Sequence, residues 1–246
     1  MKTILRILSS LVVLFALLVF FLWVRYGGGE RFEDRTTAPE MPVSVLEKVA
    51  DLDLPPGNIA VSDKGRIFFT FHPEAKPDVN VAEWVDGRPV PNPQDLPEEL
   101  TYQSVLSLRI DRQNRLWILD NANHGTGTPR IIAIDLSTDR VAHRHDFDSN
   151  LAGIGSHLND FQVSPDGKMI YIADASIFRK NPALVIYDVQ GRQARRVLED
   201  HESVVPDDYV PVVQGRKMII FGIFAIRPGV DSIALDRQGE CCLLYT

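Results

Sequence analysis

Cysteine is nearly absent from this chain: two residues in 246, adjacent at Cys241 and Cys242. Neighbouring cysteines bridge poorly, so no disulfide framework holds the fold. Positive charge is short as well. The 26 Lys and Arg stand against 33 Asp and Glu, a net charge of −7, and no basic patch is visible, which excludes nucleic acid as a partner. Convincing helical patterns are missing after the N-terminal segment. No Walker loop, HExxH or GxSxG occurs, and Gly153-Ile154-Gly155 lacks the later glycine and the following helix of a dinucleotide site.

What is present is one phrase written four times. Ile59-Ala60-Val61-Ser62-Asp63-Lys64-Gly65-Arg66 runs into Ile67-Phe68-Phe69, and Leu108-Arg109-Ile110-Asp111-Arg112-Gln113-Asn114-Arg115 runs into Leu116-Trp117-Ile118. Phe161-Gln162-Val163-Ser164-Pro165-Asp166-Gly167-Lys168 runs into Met169-Ile170-Tyr171, and Ile233-Ala234-Leu235-Asp236-Arg237-Gln238-Gly239-Glu240 precedes Leu243-Leu244-Tyr245. Each reads as strand, tight turn, strand. Gly or Asn supplies the positive φ, and Ser or Asp before it can bond the turn amides. Gly65, Asn114, Gly167 and Gly239 lie 49, 53 and 72 residues apart by subtraction. A period near 50 residues built of hairpins predicts an all-β fold, a β-propeller with four-stranded blades.

Outer strands fill the intervals: Val81–Trp84, Arg130–Asp135 followed by Val141–His145, and Ala183–Asp188 followed by Gln193–Val197. The proline-rich stretch Pro89–Pro97 reads as a loop, and Pro206–Gly215 as a longer connection. Blades begin near residues 58, 107, 159 and 231, and the fourth has only its inner hairpin. Three and a half blades do not close a ring. The count therefore predicts a fragment or a prematurely stopped frame, with an open array or a two-chain assembly as the alternative.

The first residues are a different material. From Ile7 to Val24 the chain is apolar apart from Ser9 and Ser10. About 18 residues at 1.5 Å rise span roughly 27 Å, close to a bilayer core. Lys2 and Arg6 precede the run, and no small-x-small cleavage site follows it. Residues 1–26 read as an uncleaved signal anchor, with a cleaved signal peptide as the alternative. Either reading exports the rest, to the periplasm or the extracellular side. Residues 27–42 read as a linker, and the propeller occupies 43–246.

Ligands of propellers sit over the central channel, on loops entering or leaving the inner strands. That places Asn159, Asp160 and Asp231 near one mouth, with His157 just before them and Asn121 on a polar loop, Asn121-Ala122-Asn123-His124-Gly125. Asn and Asp supply oxygen donors for a polar small molecule or a hard cation; their everyday role is to begin strands and cap turns. Histidines 157 and 72 can serve acid–base chemistry. His143 and His145 share a strand face without a third ligand, and an exposed outer strand accounts for them.

The phrases Leu158-Asn159-Asp160-Phe161-Gln162-Val163, Tyr171-Ile172-Ala173-Asp174-Ala175-Ser176, Ala183-Leu184-Val185-Ile186-Tyr187-Asp188 and Gly229-Val230-Asp231-Ser232-Ile233-Ala234-Leu235 occur in this order. Over about residues 43–245 the chain resembles the major royal jelly protein/Yellow family in its bacterial form. The resemblance implies a secreted six-bladed propeller of which this chain covers the first part. Some relatives are described as dopachrome-converting, some bind small aromatic amines, and many have no established activity. A more distant likeness is to gluconolactonase- and regucalcin-type propellers with a central divalent metal. Their metal Asn matches Asn159 and their metal Asp matches Asp231, but Gly57 and Leu106 stand where a Glu and an Asn are expected. Asn159 and Asp231 are thus the candidate ligands for a cation such as calcium, and half of that metal set is missing. The reading carried forward is a membrane-anchored propeller that binds, or isomerises, a small molecule, an aromatic one by the resemblance. A metal-dependent lactonase and a non-enzymatic envelope scaffold stay open as alternatives.

Overall fold

A computed structural model describes residues 2–31, 37–94, 97, 100–213, 215–236 and 241–244. The chain divides into two units, residues 1–38 with 206–227 (and 246), and residues 39–205 with 228–245.

The larger unit carries the repeats. In chain order its strands are β2 (Pro56–Val61), β3 (Ile67–Phe71), β4 (Val81–Val85), β5 (Arg88–Pro91), β6 (Val105–Ile110), β7 (Arg115–Asp120), β8 (Arg130–Asp135), β9 (Arg140–Asp146), β10 (Leu158–Val163), β11 (Met169–Asp174), β12 (Ala183–Asp188), β13 (Gln193–Val197), β19 (Ser232–Leu235) and β20 (Cys241–Leu244). They form three four-stranded antiparallel sheets, β2–β5, β6–β9 and β10–β13, and the two-stranded sheet β19–β20. The inner strands β2, β6, β10 and β19 are neighbours in that order. The molecule is a β-propeller of four-stranded blades.

The shared phrase folds the same way each time. Gly65, Asn114 and Gly167 take φ of 78°, 61° and 71°, the left-handed region that a Cβ disfavours. The preceding Ser62, Asp111 and Ser164 then accept backbone N–H groups of the turn and of the start of the second strand: Ser62 Oγ from Arg66, Asp111 Oδ1 from Gln113 and Arg115, Ser164 Oγ from Lys168 and Met169. Asp111 goes further. Its Oδ2 accepts Arg115 Nε and the buried Trp117 indole, each at 2.7 Å. The cation after each turn reaches the next blade: Arg66 donates to the Leu136 carbonyl and pairs with Asp139, and Arg115 donates to the Gly167 carbonyl. The fourth turn, at 237–240, lies outside the described residues.

Between the blades lie apolar layers. Trp117, Leu119, Ile131, Phe161, Ile172 and Val185 pack between the second and third sheets, and Phe68, Leu108, Leu116, Ile118 and Ile132 between the first and second. Alternating strand residues supply both faces of each sheet.

Three expectations need correction. The stretch Pro89–Pro97 is not all loop, because β5 runs to Pro91 and pairs with β4. Proline is tolerated on this edge strand, where its missing N–H faces away from the ladder. The connection Pro206–Gly215 contains the short strands β14 (Tyr209–Val210) and β15 (Val212–Val213). The strand bearing His143 and His145 is not simply exposed. His143 Nε2 lies 2.7 Å from the Tyr187 hydroxyl, and the His145 ring is 4.5 Å from that of Tyr187. Both imidazoles face the neighbouring blade because Tyr187, itself fully buried, needs a cover.

The smaller unit holds α1 (Lys2–Tyr26), a helix long and apolar enough to cross a membrane, as a signal anchor or a signal peptide is. Within the stretch read as a linker, β1 (Glu30–Arg31) pairs in parallel with β14. The unit also contains β16 (Arg216–Lys217), paired with β15, and the hairpin β17 (Ile219–Ile220) to β18 (Phe224–Ala225).

Candidate functional site at the channel mouth

At the end of the blades opposite the repeated turns, each four-stranded blade closes with the same hydrogen bond. The residue after the second strand donates to the carbonyl just before or near the start of the first: His72 to Pro55, Asn121 to Ser104, Ala175 to His157. A bulge follows in all three inner strands, at Gly57-Asn58, Leu106 and Asn159. A bulge re-aims the side chains around it, and here it separates two sets.

The first set ties the inner strands together. Arg109 donates to Asn58 Oδ1 at 2.8 Å and to Asp160 Oδ1 at 2.6 Å, so one guanidinium bridges three inner strands. Asp160 also accepts Ser107 Oγ at 2.8 Å and the backbone N–H groups of Phe161 and Ile233. Its lone pairs are engaged inside the protein. Arg109 carried no signal of this role in the sequence, because a strand arginine next to a polar turn reads as surface.

The second set is left open. Asn159 Nδ2 donates to both the carbonyl and Oδ1 of Asp231, each at 2.9 Å. Burial pushes the Asp231 carboxyl above the usual carboxylate range, and the Asp160 charge adds to it. The His157 ring stacks on His124 with centroids 4.4 Å apart, and Phe178 meets His124 edge-on at 5.2 Å. Burial lowers His157 to about 4; the His124 and His72 charges add to the shift, while the Asn159 side chain opposes it. Burial lowers His124 too. Nδ1 of His124 and Nδ1 of His157 are buried and have no hydrogen-bond partner among the described residues, and the buried Oδ1 of Asn159 faces the His157 ring without a well-formed hydrogen bond.

Backbone strain holds this arrangement. Ala122, Asn123 and His124 take φ of 52°, 53° and 58° in succession. Non-glycine residues in that region cost on the order of 1 kcal/mol or more each and persist only where the surroundings enforce them. The enforcement is visible. Asn121 Oδ1 accepts the His124 N–H, Gly125 donates to the Asn121 carbonyl, and the His124 carbonyl accepts Gly155 N–H at 2.8 Å. Asn121, 2% exposed, therefore shapes the loop that presents His124.

Of the five residues singled out from sequence, the structure brings Asn159, Asp231 and His157 together, commits Asp160 to the Arg109 bridge and sets Asn121 behind His124. Phe178 was missed, since a lone aromatic in a loop has no pattern. The resemblance to lactonase-type propellers matches their metal positions to Gly57, Leu106, Asn159 and Asp231. A Cβ on Gly57 would lie 2.7 Å from Thr70 Oγ1 and 2.9 Å from Leu106 Cδ1, so the packing leaves no room for a carboxylate there. Among the described residues no group of three or more His, Cys, Asp or Glu is arranged to hold a metal ion.

Solved structures similar to this chain include the nidogen/laminin complex (13% identity, 77% of this chain and 56% of that chain, TM-score 0.48). They include a gluconolactonase of Xanthomonas campestris (12% identity, 77% and 56%, TM-score 0.49) and the hydrazine synthase of Kuenenia stuttgartiensis (14% identity, 80% and 44%, TM-score 0.47). The chain spans about half the length of these proteins. No curated protein sequence matches it. The profile described as major royal jelly protein matches residues 103–227, half of the chain, from the second blade through the hairpin of the smaller unit. By that match, the chain belongs to the major royal jelly protein family.

Proposed function

We propose that this is an exported, membrane-anchored propeller that binds a small aromatic molecule with hydrogen-bond donors at the channel mouth. One observation carries the reading: a strained loop holds His124 stacked on His157 while buried polar atoms lack a well-formed partner. Unpaired buried polar atoms cost about 1–3 kcal/mol each, and such a cost is characteristic of a surface built for a ligand. The Asn159 amide oxygen and the Asp231 carboxyl accept, and each neutral imidazole offers one lone pair beside its N–H. The ligand they favour donates, as an amine or phenol does, and the stacked rings with Phe178 favour a flat one.

The same features weigh for binding over isomerisation. A general base works best with a pKa near the working pH, and His157 at about 4 is a poor base at neutral pH. The lactonase alternative lacks donors at Gly57 and Leu106, so a calcium ion held by Asn159 and Asp231 alone would be poorly ligated. An envelope scaffold would leave the strained loop without a purpose.

Titration calorimetry on the detergent-solubilised full chain, with tyramine and catechol as probes, tests the reading. Binding of either probe that is lost in His157→Phe, with the fold intact by circular dichroism, is expected. Equal affinity in the variant, or no heat with either probe, overturns it.

A further inference from the structure

The segment Met218-Ile219-Ile220-Phe221-Gly222-Ile223-Phe224-Ala225-Ile226 contains no charged or polar side chain, and Arg216, Lys217 and Arg227 flank it. It forms the β17–β18 hairpin. The turn is closed by Ile223 N–H on the Ile220 carbonyl at 3.1 Å, with φ of 51° at Phe221 and 69° at Gly222. Two positive φ values are the mark of a type I′ turn, whose first central position favours Asn, Asp or Gly. A phenylalanine in that position is strained, and it is 90% exposed, beside Ile219 and Ile220 at 37% each. A water-facing turn has no use for an aromatic tip.

The hairpin belongs to the same unit as α1 and lies against it. Its base is fastened where the helix ends: Arg227 donates to the Gly27 carbonyl at 2.9 Å and pairs with Asp208. Next, the Phe224 ring sits 5.2 Å from that of Tyr26. Closer to the tip, Ile223 lines an apolar groove with Phe15, Ala16, Val19, Phe20 and Trp23. The hairpin thus runs back along the helix from its exit. Phe15 lies 11 residues before Tyr26, about 16 Å deeper along the axis.

We propose that the β17–β18 hairpin is a second membrane contact, inserting Ile219, Ile220, Phe221 and Ile223 into the acyl region of the outer leaflet beside α1. This rests on reading α1 as a retained span. If the last turns of α1 are in lipid, a hairpin packed on Phe15 to Trp23 is at the same depth. Arg216, Lys217 and Arg227 then sit at headgroup level, where cations are favoured by anionic lipid. Each paired strand is only two residues long, so few backbone groups are left unpaired in the acyl region, where each is costly.

The test uses the full chain with Cys241→Ser and Cys242→Ser, in phosphatidylcholine–phosphatidylglycerol vesicles. A nitrobenzoxadiazole probe is placed in turn on Phe221→Cys, Leu14→Cys and Ile154→Cys, the last on an exposed loop of the larger unit. The Phe221 and Leu14 probes are expected to lose most of their emission to nitroxides on the acyl chains and little to aqueous iodide, and the Ile154 probe the reverse. Leu14 in lipid with Phe221 open to iodide overturns the hairpin contact alone. Phe221 shielded from both quenchers means that protein, such as a second copy, covers the tip, and also overturns it. Leu14 open to iodide overturns the span, and the depth of the hairpin with it.

Discussion

The two ends of the blades obey different rules. At the turn end, polar atoms are paired within the repeat: Ser62, Asp111 and Ser164 each close their own turn, and Asp111 alone accepts four donors. At the other end, three buried polar atoms on His124, His157 and Asn159 lack a well-formed hydrogen bond among the described residues, and three successive residues are held at positive φ. The difference teaches that the repeat builds the architecture and that departures from it build the site. A polar group that serves the fold is satisfied where it stands; on the proposed reading, one that would serve a ligand is kept unsatisfied at a cost in stability.

The sharpest way to break this contrast is at the turn end. Asp111→Ala strips four donors of their acceptor, among them a buried indole, and leaves Arg115 without its partner. Loss of about 3 kcal/mol is expected, read as a fall in the urea midpoint of the solubilised chain, with ligand binding unchanged in the protein that remains folded. A loss under about 1 kcal/mol would show that the turn end is not the stabilising one. Arg109→Ala comes next. It leaves the Asp160 charge buried beside Ser107, and because the arginine side chain is 23% exposed the expected loss is smaller, about 2 kcal/mol. A result at the noise level would mean that Ser107 and the backbone amides suffice for Asp160.

Acid should weaken both regions together. His143, between blades, and His157, at the mouth, are both pulled down to about 4 from an ordinary 6.5, chiefly by burial. The unfolded chain therefore binds protons at these rings that the folded chain refuses. Stability is full above about pH 6.5 and falls as pH drops toward 4. The carboxylates held low by hydrogen bonds, such as Asp146 beside Arg144, add their own loss only below that window. Unfolding midpoints between pH 7 and 4 that do not move would contradict the burial of both rings.

The smallest effect has the opposite sign. His157→Phe replaces a buried ring carrying an unpaired nitrogen with an apolar one of similar size. It should raise stability by about 1 kcal/mol while abolishing ligand binding, and should reduce the acid slope. Destabilisation by that variant would mean that His157 is a structural ring and that the two ends follow one rule.

Legibility from sequence follows the same divide. The hairpins, their turns and the four-stranded blades were readable because strand alternation, Gly or Asn at positive φ and a turn Ser or Asp are local and repeated. β5 was not readable, because two prolines look like a loop until an edge strand gives their missing N–H nowhere it is needed. Asn159 and Asp231 were readable as a pair from their equal distance to the turn. The bond between them, and the engagement of Asp160 by Arg109, depended on which way each bulge turned its side chain. His143 and His145 looked like exposed strand residues because their cover, Tyr187, is 44 residues from His143 along the chain.

The sequence by itself determined the period, the turns, the apolar strands between them and the membrane-length helix, since each depends on residues a few positions apart. Only the tertiary structure decided that His124 stacks on His157, that one arginine bridges three inner strands and that an apolar hairpin lies along the first helix. Those contacts join residues distant in the chain. Nothing local encodes them: they exist only once neighbouring blades, or hairpin and helix, have buried their faces against each other.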